Sequence, residues 1–147
     1  MIALASDHGG YALKEIVKEH LEATGQEFRD FGTWSEESCD YPVFAEAASR
    51  AVVSGACSIG ILICGTGIGM SIAANKIRGV RAAVCGDGFS ADMARRHNDA
   101  NILCLGARVT GPGLALSIVD TFLKTTFEGG RHARRIGMIG ELEKREQ

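Results

Sequence analysis

The chain has 147 residues, 46% of them hydrophobic and two of them proline, and a formal net charge of -2. That length suits one globular domain over residues 1–147 with a sizeable core, and the charge excludes a broad basic field for nucleic acid or an anionic membrane surface. No apolar stretch approaches the roughly 20 residues of a membrane-spanning helix, and no basic region precedes the first short apolar run, so a soluble cytoplasmic protein is expected.

In chain order, Ile2 to Ala5, a weaker run Glu27 to Phe31, Ser58 to Cys64, Arg81 to Cys85 and Asn101 to Leu105 read as strands. Between them, Tyr11 to Ala23 sets Leu13, Ile16, Val17 and Leu21 on one helical face and stops near Gly25. Pro42 after Asp40 suits the start of a helix running to Gly55, and further helices are expected over Gly69 to Lys76, Phe89 to His97 and Gly113 to Phe127. A charged segment from Arg131 onward reads as a last helix, with Glu141 to Gln147 its frayed, solvated end. Near-continuously apolar strands alternating with helices predict an α/β fold: a Rossmann-like three-layer sandwich with a five-stranded, mainly parallel sheet.

The five cysteines form no C-x-x-C pair, so neither a disulfide framework nor a zinc motif is indicated. Cys85 and Cys104 sit in apolar runs as small hydrophobes. Cys64 differs, because Gly65-Thr66-Gly67-Ile68-Gly69 follows it at the expected carboxyl end of a strand. Such a turn presents amides, and the next helix its positive dipole end, to an oxyanion or phosphate, and both favour thiolate over thiol. The segment is not a phosphate-binding P-loop, lacking Gly-Lys-Ser/Thr, and it misses the third glycine of the dinucleotide fingerprint. A tight connection with no ligand is the competing reading. Ser6-Asp7-His8-Gly9-Gly10 ends the first strand in a similar turn, and His97-Asn98-Asp99 closes a helix before the fifth; all three are expected along one rim of the sheet.

These motifs, with Asp40-Tyr41-Pro42, Ala73-Ala74-Asn75-Lys76 and Glu128-Gly129-Gly130-Arg131-His132, resemble ribose-5-phosphate isomerase type B from the first strand to the C-terminal helix. The resemblance implies a homodimer or tetramer with active sites shared between subunits, acting on a small sugar phosphate without metal or other cofactor. It implies aldose-ketose isomerisation through a cis-enediolate, in the pentose phosphate pathway. Having Cys64 and Met70, the chain resembles the branch that uses a cysteine base rather than a glutamate.

By that resemblance Cys64 moves the proton between C1 and C2, Thr66 and the amides of Gly65, Gly67, Ile68 and Gly69 hold the enediolate, and His97 opens the sugar ring. Asp7 handles hydroxyl protons, Asn98 and Tyr41 bind sugar hydroxyls, and His8, Arg108, Arg131 and Arg135 take the phosphate. His20, Arg95, Arg96 and Arg134 default to surface or interface, His132 stays open, and Met70 is expected to pack. Relatives acting on allose or galactose 6-phosphate leave the sugar open, and a sugar-phosphate sensor without turnover is a remote alternative.

Overall fold

A computed structural model describes residues 1–146. Each apolar run forms a strand: β1 (Ile2–Ser6), β2 (Phe28–Asp30), β3 (Ile59–Cys64), β4 (Ala82–Val84) and β5 (Ile102–Gly106). The helices are α1 (Tyr11–Ala23), α2 (Tyr41–Val53), α3 (Ile68–Ala74), α4 (Gly88–Arg96), α5 (Pro112–Lys124) and α6 (Arg131–Arg145). The strands pair in parallel in the order β2-β1-β3-β5-β4.

Because side chains alternate across a strand, each central strand feeds two cores. Ile2, Leu4, Ile61, Ile63, Leu103 and Leu105 face α1, α4 and α5, where Val17, Leu21, Ile118 and Phe122 are fully buried. Ala3, Ala5, Leu62, Cys64, Ile102 and Cys104 face α2 and α3. This is the expected sandwich, with Met70 packed at 0% exposure.

The expected Gly113 to Phe127 helix ends earlier, at Lys124, where the Thr125 backbone turns extended and its hydroxyl lies 2.9 Å from Asp92 Oδ1. Residues 141–145 are helical and mostly exposed, and Gln147 lies outside the described residues.

Lys14, on α1, is fully buried. Its ammonium pairs with Asp30 Oδ1 at 2.7 Å and donates to the Thr33 carbonyl, while Lys18 approaches Asp30 Oδ2 at 3.1 Å. Burial acts to raise the Asp30 carboxyl, but hydrogen bonds from Lys14, the Gly32 amide and Lys18 outweigh it and hold it below its usual 3.8. The same stretch of chain is tied to the end of β1, since the Ser6 N–H donates to the Gly32 carbonyl and the Thr33 N–H to the Ser6 carbonyl, both at 2.6 Å.

Candidate active site

β1 and β3 are neighbours, with Ser6 opposite Ile63. The chain leaves β1 toward α1 on one face of the sheet and leaves β3 toward α3 on the other. The two connections diverge and open a crevice at the carboxyl ends of the strands, the position where open α/β sheets take ligands. Asp7 to Gly10 form one wall and Cys64 to Gly67 the other.

Cys64 ends β3 at 5% exposure, and the Gly67 N–H donates to its Sγ at 3.1 Å. Gly67 has φ 79°, and a β-carbon there would come within 3.0 Å of the Leu105 carbonyl carbon. The turn that aims this N–H at the sulfur therefore requires glycine.

The carbonyls of Cys64 and Gly65 accept from the N–H groups of Ala107 and Arg108 at 2.8 and 3.0 Å. Across a trans peptide the following N–H points the opposite way, so the amides of Gly65 and Thr66 face away from that loop. The point a β-carbon on Gly9 would occupy is 3.4 Å from Asp7 Oδ1, 3.5 Å from the Gly65 nitrogen and 3.8 Å from Arg108 Nη2. A carboxylate, an amide and a guanidinium thus converge on space that only glycine leaves open. Asp7 is held there by the Gly10 N–H at 3.0 Å, and the Arg108 side chain lies along Gly65, with Cδ 3.5 Å from that glycine's β-carbon direction.

Tyr41 closes the next part of the rim, its ring so near Gly69 that a β-carbon there would meet Cζ at 2.8 Å. Thr66 Oγ1 accepts the Ile68 N–H at 3.2 Å. His8 Nδ1 accepts the Cys39 N–H at 3.2 Å, with Cys39 Sγ 3.8 Å away, which leaves Nε2 as the ring's donor when the imidazole is neutral. Cys39 lies 31 residues from His8 along the chain, and no local pattern announces the contact.

The expectation that His97 and Asn98 share this rim is corrected. They precede β5, whose first residue Ile102 pairs with Gly60, whereas Cys64 pairs with Gly106 at the far end of the ladder. A strand length, ~13 Å, separates the two edges. Arg131 and Arg135 go with His97: the His97 and His132 rings stack at 4.1 Å, and the Glu128 N–H donates to the Arg96 carbonyl at 3.1 Å. The anticipated group of Arg108, Arg131 and Arg135 is therefore split within one chain, Arg108 standing beside Cys64 and the other two standing beside His97.

Burial of His132, followed by the nearby charges of His97 and Arg131, holds its imidazole below the usual value of 6.5. Arg95 is half-buried rather than freely solvated: it reaches Asp99 Oδ1 at 3.1 Å and the Ala100 carbonyl at 2.5 Å while lying over the Phe122 ring. His20 is half-buried and paired with Asp120 at 2.7 Å. Burial, with Asp87 adding to it, pushes the Cys85 thiol up to about 11, and burial likewise raises the Cys104 thiol, in keeping with two inert hydrophobes. Among the described residues, no helix is long and apolar enough to cross a membrane.

The sequence profile of the Ribose/Galactose Isomerase family matches residues 2–139. The chain belongs to this family. It is 49% identical over 144 residues to ribose-5-phosphate isomerase B of Escherichia coli K12, covering 98% of this chain and 97% of that protein. The solved ribose-5-phosphate isomerase B of Clostridium thermocellum is 57% identical, with a TM-score of 0.98 and 99% of each chain covered. The Mycoplasma genitalium ribose-5-phosphate isomerase B, solved with bound ribulose-5-phosphate, is 45% identical, with a TM-score of 0.93 over 97% of this chain and 95% of that one. The crevice thus stands in a fold whose solved relatives are isomerases of a sugar phosphate.

Proposed function

We propose that the protein interconverts D-ribose 5-phosphate and D-ribulose 5-phosphate, in the cytoplasm and as part of pentose phosphate metabolism, and that it works as a homodimer with two shared sites. The observation that carries the chemistry is the Gly67 N–H on Cys64 Sγ in a crevice also walled by Asp7 and Arg108.

Cys64 as thiolate takes the proton from C2 of the open-chain aldose; the C–H electron pair becomes the C1–C2 double bond and the carbonyl oxygen takes the negative charge. Returning the proton to C1 gives the ketose. The donor on the sulfur supports the thiolate before the first transfer and after the second; between them the sulfur is a neutral thiol and the charge rests on the enediolate oxygens. The outward amides of Gly65 and Thr66 are aimed where the enediolate oxygens develop, and one such donor is typically worth about 3 kcal/mol of barrier. Asp7 carries the hydroxyl proton, with Tyr41 and Thr66 against the sugar. Arg108 and the Nε2–H of His8 take phosphate oxygens.

Ring opening requires a proton on the furanose oxygen, the role of His97, with Asn98 on a neighbouring hydroxyl. Since these residues stand a strand length from Cys64 in one chain, a second copy must deliver them, together with Arg131 and Arg135, to the first copy's crevice. A two-fold pairing of carboxyl edge against amino edge makes two equal sites. Exposed apolar side chains at both edges support it: Trp34, Ile68 and Val109 at one, Met138, Ile139 and Leu142 along α6 at the other.

The test is turnover of the purified protein with ribose 5-phosphate, ribulose 5-phosphate and allose 6-phosphate. A kcat/KM highest for the pentose pair is expected. Preference for the hexose phosphate would replace the substrate while keeping the mechanism; binding without turnover of any sugar phosphate would refute the enzyme reading.

A further inference from the structure

His97, Glu128 and His132 each offer one ligand atom, and the three atoms lie within 4.8 Å of one another. They come from three separate pieces of chain: the residue closing α4, the connection after α5, and the first turn of α6. The backbone fixes their relation. The Glu128 N–H holds the Arg96 carbonyl next to His97, the His132 N–H holds the Gly129 carbonyl, and His132 Nε2 lies 3.7 Å from Glu128 Oε2. Two imidazoles and a carboxylate form a donor set that suits zinc, with one coordination position left for water.

We propose that these three residues form a zinc-binding site at the amino edge of the sheet. Zinc holds imidazole nitrogen and carboxylate oxygen at about 2.0–2.2 Å, which requires ligand atoms roughly 3.3 Å apart in a tetrahedral shell. Closing the present spacing to that requires the two stacked rings to tilt out of their 10° near-parallel arrangement and the exposed Glu128 side chain to swing inward. His97 is half-buried and Glu128 exposed, so the ion enters from solvent. Bound zinc occupies a His97 nitrogen. If His97 opens the ring as proposed above, zinc inhibits turnover of the cyclic aldose; the binding claim itself does not depend on that role.

Calorimetric titration of the metal-free protein with zinc alone, followed by cobalt(II) with visible absorption as a report of ligand geometry, tests the site. One ion per chain is expected, bound about tenfold or more weakly by Glu128→Gln and more weakly still by His132→Ala. Cys64→Ala and Cys39→Ser should bind as the unaltered protein does, because neither thiol is among the three proposed ligands. Glu128 is exposed, so its variant reads binding even if replacing buried His132 harms folding. Undiminished affinity in Glu128→Gln, or loss of binding in either cysteine variant, overturns the proposal.

Discussion

Cys64 and His97 stand at opposite ends of the β3–β5 ladder, since Cys64 pairs with Gly106 while His97 closes α4 ahead of Ile102. No side-chain rotation spans a strand length, so a site holding both draws them from two copies. Cys64→Ala and His97→Asn, each inactive alone, should restore activity when unfolded and refolded together. Random pairing makes half the dimers hybrid, each with one intact site, giving roughly a quarter of normal activity. A mixture as inactive as its components would show that each copy works with its own residues.

Gly67→Ala places a β-carbon 3.0 Å from the Leu105 carbonyl carbon at a φ of 79°. Relief of either strain turns the N–H away from the Cys64 sulfur. A loss of about 1–3 kcal/mol of stability is expected by denaturant titration. kcat should fall further than KM changes, because the donor acts on the base rather than on substrate recognition.

The Lys14–Asp30 pair makes a prediction about acid stability. Asp30 is depressed in the folded protein, so its contribution is present above its usual 3.8 and is lost as pH falls through the lower folded value. Asp30→Asn leaves a buried ammonium without its carboxylate and should cost about 3–5 kcal/mol at neutral pH, with less further loss on acidification below pH ~4. Lys14→Met should cost less, since Asp30 retains Lys18 at 3.1 Å and the Gly32 N–H at 2.8 Å. Urea midpoints at pH 7 and pH 3 for the three proteins check this.

Much of this architecture is legible in the sequence because its causes are local. The run Ile61-Leu62-Ile63, short, mostly branched and bounded by glycines, reads as a strand covered on both faces, and Gly67 after Cys64 marks the turn that strand makes. What escaped is non-local. His97 is a different case: in a parallel sheet a residue that precedes a strand lies at its amino edge and one that ends a strand at its carboxyl edge, so chain order alone sets His97 apart from Cys64. Arg95 reads as surface because nothing in a charged helical turn shows that Phe122, 27 residues on, lies beneath its guanidinium. The Cys39–His8 contact and the buried Lys14 are likewise invisible to periodicity.

Arg108 separates phosphate recognition from chemistry. Its side chain lies along Gly65, so Arg108→Ala should raise KM for ribose 5-phosphate about tenfold or more with a smaller effect on kcat. Arg108→Lys keeps the charge but not the fork and should recover only part of the loss. Steady-state kinetics of both variants decide it, and a normal KM in Arg108→Ala would place the phosphate elsewhere.

The most direct test of the account is the turnover of ribose 5-phosphate by Cys64→Ala. The Sγ that accepts the Gly67 N–H at 3.1 Å is the only group given the C–H proton. Its removal should lower kcat by about 10²–10⁴-fold, while sugar phosphate still raises the melting temperature as in the unaltered protein. Turnover within a few-fold of normal would contradict the assignment of Cys64 as the base.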